Sequence, residues 1–121
     1  MHKPATAWLP VALLALVGLL GGCGDDAAPP TRHAAALAPA DPALAKIYDS
    51  SCKLCHANPA SGAPQAGDAK AWQPRVAQGA DSLLDHSING FKGMPPMGMC
   101  MQCSEDEFLA LISFMSGQSV R

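Results

Sequence analysis

The pentapeptide Cys52-Lys53-Leu54-Cys55-His56 holds the densest chemistry in this 121-residue chain. C-x-x-C-H is the attachment signature of a c-type haem. Two thiols three positions apart can each form a thioether to a vinyl group on one edge of a porphyrin. The histidine that follows then falls beneath the ring, where an imidazole nitrogen can bind the iron. A sixth ligand must come from elsewhere, and a thioether opposite histidine raises the reduction potential. Four methionines crowd Gly93-Met-Pro-Pro-Met-Gly-Met-Cys-Met-Gln-Cys103, namely Met94, Met97, Met99 and Met101. The residue before a proline is held extended, which favours Met94, directly before Pro95, as a steady ligand; Met97, followed by a glycine, is the fallback. His86 is the rival for a bis-imidazole iron, but its place between Leu84 and Ile88 gives it a packing or surface role.

The same residues allow other chemistry. Cys52, Cys55, Cys100 and Cys103 form C-x-x-C…C-x-x-C, a spacing that suits structural zinc. The methionine cluster could take copper(I), which soft sulfur ligands select. Zinc leaves His56 and the Met-Pro-Pro segment without a task, and copper leaves C-x-x-C-H unexplained. A thioredoxin-type pair at Cys100 and Cys103 would need a strand before it, and none is visible. No Ser/His/Asp arrangement or paired carboxylates suggest an enzyme; Glu105, Asp106 and Glu107 read as the charged start of a helix.

The elements that must position these groups are helical. Asp41-Pro42 is an N-cap followed by proline at the first helical position. Leu44, Ile47, Tyr48 and Cys52 recur at helical spacing, so a helix ending near His56 presents the thiols and the imidazole to one body. Asp68 to Trp72 make one turn before Pro74 stops it. Asp81 caps a further helix with Leu84 and Ile88 inward and Gly90 as its stop. Ser104 and Glu107 form a capping box, and Phe108, Leu111, Ile112 and Met115 make the buried stripe of a last helix ended by Gly117. No stretch alternates as a strand, so the expected fold class is all-α.

The chain divides into three parts. His2 and Lys3 precede an apolar run from Val11 to Leu20, too short to cross a hydrocarbon core of about 30 Å but suited to a secretory signal. It ends in Leu20-Gly21-Gly22-Cys23, which resembles a bacterial lipobox, so residues 1–22 are expected to be removed and Cys23 lipidated. An ordinary cleaved signal and a retained anchor helix are the alternatives. Residues 23–41 are rich in Ala and Pro without apolar periodicity and read as an extended tether, with His33 a solvated residue within it. Residues 42–121 form one domain. Its aromatics are limited to Tyr48, Trp72, Phe91, Phe108 and Phe114, so a small core needs a staple, and a porphyrin would supply apolar bulk. Six basic against seven acidic residues in this span leave no basic stripe for nucleic acid.

The order of motifs resembles the class I cytochromes c, in particular the cytochrome c₅ family. The matching pieces are Tyr48 before Cys52-x-x-Cys55-His56, Gly62-Ala-Pro64, Gly67-Asp68 and Trp72-Gln-Pro-Arg75. Gly79-x-Asp81-x-Leu83, Met94-Pro-Pro96 and Cys100-x-x-Cys103-Ser104 follow, then a final helix ending near Met115. The resemblance implies a fold of crossing first and last helices around one covalent haem c, with His56 and Met94 as axial ligands. It implies a disulfide between Cys100 and Cys103, and it places Trp72, Arg75 and Pro95 around the haem. Bonding two cysteines three apart removes little unfolded-state entropy, so such a bridge would act by fixing the methionine loop. The family role is outer-sphere electron transfer, with no small-molecule substrate. Its partners would be redox donors and acceptors of a respiratory or denitrification chain at the bacterial envelope. A lipid anchor would hold the domain at a membrane, facing the periplasm. Met97 and Met99, where the family has ordinary loop residues, and the anchor itself are departures from the pattern.

Overall fold

The computed structural model describes residues 30–121. The signal, Cys23 and the first part of the tether lie outside the described residues. Six α-helices follow one another: α1 (Pro30–Ala36), α2 (Pro42–Ser50), α3 (Lys53–His56), α4 (Ala69–Val76), α5 (Ala80–Asn89) and α6 (Glu105–Ser116). Two 3₁₀ turns, Pro59–Ser61 and Pro96–Met99, lie in the loops. The described residues hold no strand, only an isolated bridge between Phe91 and Met94. No described helix is long and apolar enough to cross a membrane.

Local chemistry accounts for most helix ends. The Asp41 carboxylate accepts from the amides of Ala43 and Leu44 at 2.8 and 2.9 Å, satisfying donors that an α-helix start leaves free. The Ser104–Glu107 capping box is complete in both directions, and Gly117 closes α6 in the left-handed conformation at φ 68°. Within α6, Phe108, Leu111, Ile112 and Met115 are all buried, the expected stripe. Helix α6 packs on α2, α4 and α5, and Tyr48 of α2 meets Phe114 of α6 edge to face, with centroids 5.0 Å apart.

Four expectations change. The tether is not extended to residue 41: Pro30 to Ala36 form α1, Ala34 is fully buried, and Leu37 packs on the core. Alanine is the best helix former, and so short a helix gains its stability from packing rather than propensity. The helix expected to run to His56 breaks at Ser51 (φ −135°, ψ −86°), whose hydroxyl bonds back to the Ile47 carbonyl at 2.6 Å. Pro74 does not stop α4, which continues to Val76. A proline inside a helix removes one bond to the carbonyl four residues earlier; Pro74 and Lys70 are both exposed, so that loss falls on the solvent side. Finally, Gly79 rather than Asp81 occupies the N-cap of α5.

Helix α5 also divides its inward face in a way that periodicity did not show. Leu83 and Ser87 are buried, whereas Leu84 and Ile88 pack against a second cluster formed by Cys100, Cys103 and Phe108. The domain therefore has two apolar bodies, the larger between α2, α4 and α6 and the smaller beneath the methionine loop.

Candidate haem site

A cleft enclosing about 1280 Å³ of non-atom space, part of it open to solvent, runs between the two bodies. Cys52, Cys55, His56, Met94 and Pro95 all line it; Leu83, Phe108, Leu111, Ile112 and Met115 supply apolar walls. Arg75 and Lys92 line it too, and no carboxylate does.

Helix α3 carries the proximal groups. The amide of His56 donates to the Cys52 carbonyl at 2.9 Å, so the first thiol and the imidazole stand one helical turn apart. Cys52 and Cys55 are the free cysteines among the described residues. Burial, ahead of every other influence, pushes the Cys52 thiol up from its ordinary value. Burial likewise holds the His56 imidazole below its ordinary range, with the Arg75 charge adding to the effect and the Pro64 hydrogen bond opposing it. His56 is therefore neutral near pH 7.

Its Nδ1 lies 2.8 Å from the Pro64 carbonyl oxygen. A carbonyl only accepts, so Nδ1 carries the proton and Nε2 keeps a lone pair for a metal. Behind the imidazole, the Trp72 ring stacks at 5.5 Å between centroids with 27° between planes. The indole Nε1–H donates to the Gln65 carbonyl at 2.9 Å.

Met94 sits in a tight turn closed by two hydrogen bonds with Phe91, 2.9 and 3.1 Å. Met97 does not reach the cleft. Held at φ 62°, it packs with Cys100, Cys103 and Phe108 in the smaller body. Met97 is thus turned to packing, while Met94, directly before Pro95, lines the cleft that the thiols also line. Met99, exposed, touches the cleft rim, while Met101 is fully on the surface. Cys100 and Cys103 are joined as a disulfide with Cα atoms 5.4 Å apart, which removes two thiolates from a four-cysteine zinc site. His86 stacks on Phe91 at 3.9 Å on the cleft lip. Leu83, Ser87 and Gln65 are positions the sequence reading did not single out. Only Leu83 carried a signal, as part of the family pattern.

The residues fit the group that the motif implies. Two unbonded thiols line one cleft with a neutral imidazole whose Nδ1 is tied back to Pro64, a thioether lines it too, and much of the remaining wall is apolar. Site and fold define a helical domain built around a c-type haem. Comparison with known proteins agrees. The family model described as "Cytochrome C oxidase, cbb3-type, subunit III" matches residues 39–115. The chain is 44% identical to cytochrome c5 of Azotobacter vinelandii over 68 residues, covering 54% of this chain and 82% of that protein. It is 41% identical to cytochrome c-555 of Chlorobaculum tepidum over 76 residues, covering 60% and 70%. In structure it resembles a chain from the crystal structure of an electron transfer complex of nitrite reductase with cytochrome c. That match has a TM-score of 0.55 and 42% identity, and covers 64% of this chain and 94% of that one.

The chain belongs to the class I cytochrome c family. It is an electron carrier and not an enzyme, and its cofactor is one covalently bound haem c.

Proposed function

We propose that this cytochrome holds its haem through thioethers at Cys52 and Cys55, with His56 and Met94 as axial ligands, and passes single electrons between redox proteins of a respiratory or denitrification chain. The observation that supports the ligand set is the cleft itself, which Cys52, Cys55, His56 and Met94 line together while Met97 does not. The haem supplies a one-electron ferric/ferrous couple when bound. The chain's task is to keep both ligands still while charge changes. Pro64 fixes the His56 tautomer, and the Phe91–Met94 turn fixes the thioether. Trp72, Arg75 and Pro95 line the surroundings, and Arg75 with Lys92 offers positive charge to acidic groups at the cleft.

The nitrite reductase complex of the structural relative favours a denitrification partner for this chain as well. Weak redox encounters of this kind bury under about 1,200 Å² in total. Cys23 is proposed as the lipidated amino terminus of the mature protein, tying the domain to a membrane with its cleft in the periplasm; several acyl chains together give stable anchoring.

Haem staining of a denaturing gel tests the attachment. The exported wild type should stain and the Cys52→Ala/Cys55→Ala double variant should not; a colourless wild type with bound zinc or copper would overturn the reading. Met94→Ala should abolish the methionine-to-ferric charge-transfer band in the red. Cys23→Ser should free the protein from membranes, and retention of that variant would refute the lipid anchor.

A further inference from the structure

Gln65 lies directly behind the proximal wall, nine-tenths buried, and does not line the cleft. Its side-chain Nε2 faces three carbonyl oxygens, those of Ala63 at 2.9 Å, Asn58 at 3.2 Å and Cys55 at 3.4 Å. Carbonyls only accept, so the amide orientation is decided by chemistry: the two N–H groups point at the three oxygens. The consequence is that Oε1 is buried with no hydrogen-bond partner among the described residues. A buried acceptor without a donor is destabilising, because its lost hydration is not replaced. An unbranched apolar side chain of the same length would fill this space without that cost. The amide is therefore of use for its donors.

Those donors tie the Cys55 turn to the loop from Asn58 to Pro64, and this loop presents the carbonyl that bonds His56 Nδ1. The main-chain carbonyl of Gln65 holds the Trp72 indole, and the indole is stacked on the imidazole. Next along the chain, the Ala66 amide donates to the His56 carbonyl at 2.7 Å. One residue thus braces the imidazole on its edge, through Pro64, and on its face, through Trp72.

We propose that Gln65 is the positioning residue of the axial histidine, setting the plane of the His56 imidazole through the Pro64 loop and the Trp72 ring. The proposal rests on His56 being the iron ligand. A rigid braced imidazole keeps its orientation as the charge of the couple changes, which a carrier needs if little geometry is to move.

The test uses the full-length holoprotein and two variants. Gln65→Met keeps length and bulk while removing both donors and the orphaned acceptor. Trp72→Phe keeps an aromatic ring but cuts its tie to the Gln65 carbonyl. Ferric g values and the spread of the haem-methyl NMR resonances report the orientation of an axial imidazole plane, and denaturant unfolding reports stability separately. Both variants should change the g values and rearrange the haem-methyl shifts, whatever happens to their unfolding midpoints. A Gln65→Met protein with altered stability but wild-type g values and methyl shifts would show a merely structural role and overturn the proposal. Should Gln65→Met fail to mature, Trp72→Phe decides alone, and wild-type signals in it refute the bracing. Absence of a histidine-ligated low-spin signal from the wild type would instead refute the ligand assignment.

Discussion

Gly98 and Met94 are in close registry across the methionine loop: a Cβ built at Gly98 would come within 2.9 Å of the Met94 Cε. The thioether methyl therefore occupies space that only a glycine leaves. Gly98 also sits at φ 52°, between Met97 at 62° and Met99 at 64°. Three successive left-handed residues double the loop back, and hydrogen bonds from Gly98 to Pro95 (3.0 Å) and from Cys100 to Met97 (2.8 Å) hold it there.

Gly98→Ala should therefore disturb the iron more than the fold. The left-handed conformation costs a non-glycine residue about 1–2 kcal/mol, and the clash falls on the end of a flexible side chain, which can swing away. The expected outcome is a folded, haem-bearing protein whose red charge-transfer band is weakened or displaced. An unchanged visible spectrum would show that Met94 does not need this space.

Met97→Ala should do the opposite. Met97 is half-buried against Cys100, Cys103 and Phe108, so its truncation is expected to cost about 1–2 kcal/mol, below the range for a fully buried methionine. Denaturant unfolding should show this loss while the charge-transfer band stays in place. Loss of the band would make Met97 the ligand.

Helix α1 should add measurable stability. Leu37 packs on the core, and its Cδ1 lies 2.9 Å from where a Cβ on Gly67 would stand, with the His33 ring 3.2 Å from the same point. Leu37→Ala should lower unfolding stability by about 1–2 kcal/mol. A protein as stable as the wild type would mean that the Leu37 side chain, just after α1, contributes no packing energy.

Acid should act on the start of α6. Glu107 accepts from the Ser104 amide at 2.8 Å and from its hydroxyl at 2.9 Å, and these bonds hold its carboxyl below the ordinary 4.5. A depressed folded value means that the carboxylate stabilises the folded state above the unfolded value. That contribution is lost as pH falls from about 4.5 through the lower folded value. The amide of Glu107→Gln does not titrate, so this variant should show a flatter loss of stability in that acid window. Equal slopes for the two proteins would contradict the assignment.

The sequence by itself determined the chemistry that is local along the chain. Cys52, Cys55 and His56 are within one helical turn of each other, so their convergence follows from spacing. Asp41-Pro42, Ser104 with Glu107, and Gly117 are caps whose partners lie two to four residues away, and all three ends fall where backbone donors and acceptors require them. Where the expected helices missed, the deciding term was packing rather than propensity. An alanine-rich stretch was counted as tether although Ala34 and Leu37 had a surface to bury. Pro74 is carried inside α4 because its missing bond faces solvent.

Only the tertiary structure decided which of the loop methionines line the cleft, because four of them lie within eight residues and differ little in local chemistry. The left-handed run from Met97 to Met99 turns Met97 toward the disulfide and leaves Met94 lining the cleft with His56. The same holds for α5, where Leu83 and Ser87 serve one body and Leu84 and Ile88 the other. Gln65 was invisible for the same reason: a glutamine in a loop carries no pattern until three carbonyls from separate turns converge on its amide. Spacing along a chain fixes what neighbours can do together. Meetings between distant residues depend on how apolar faces close over one another, and that is settled only when the whole domain packs.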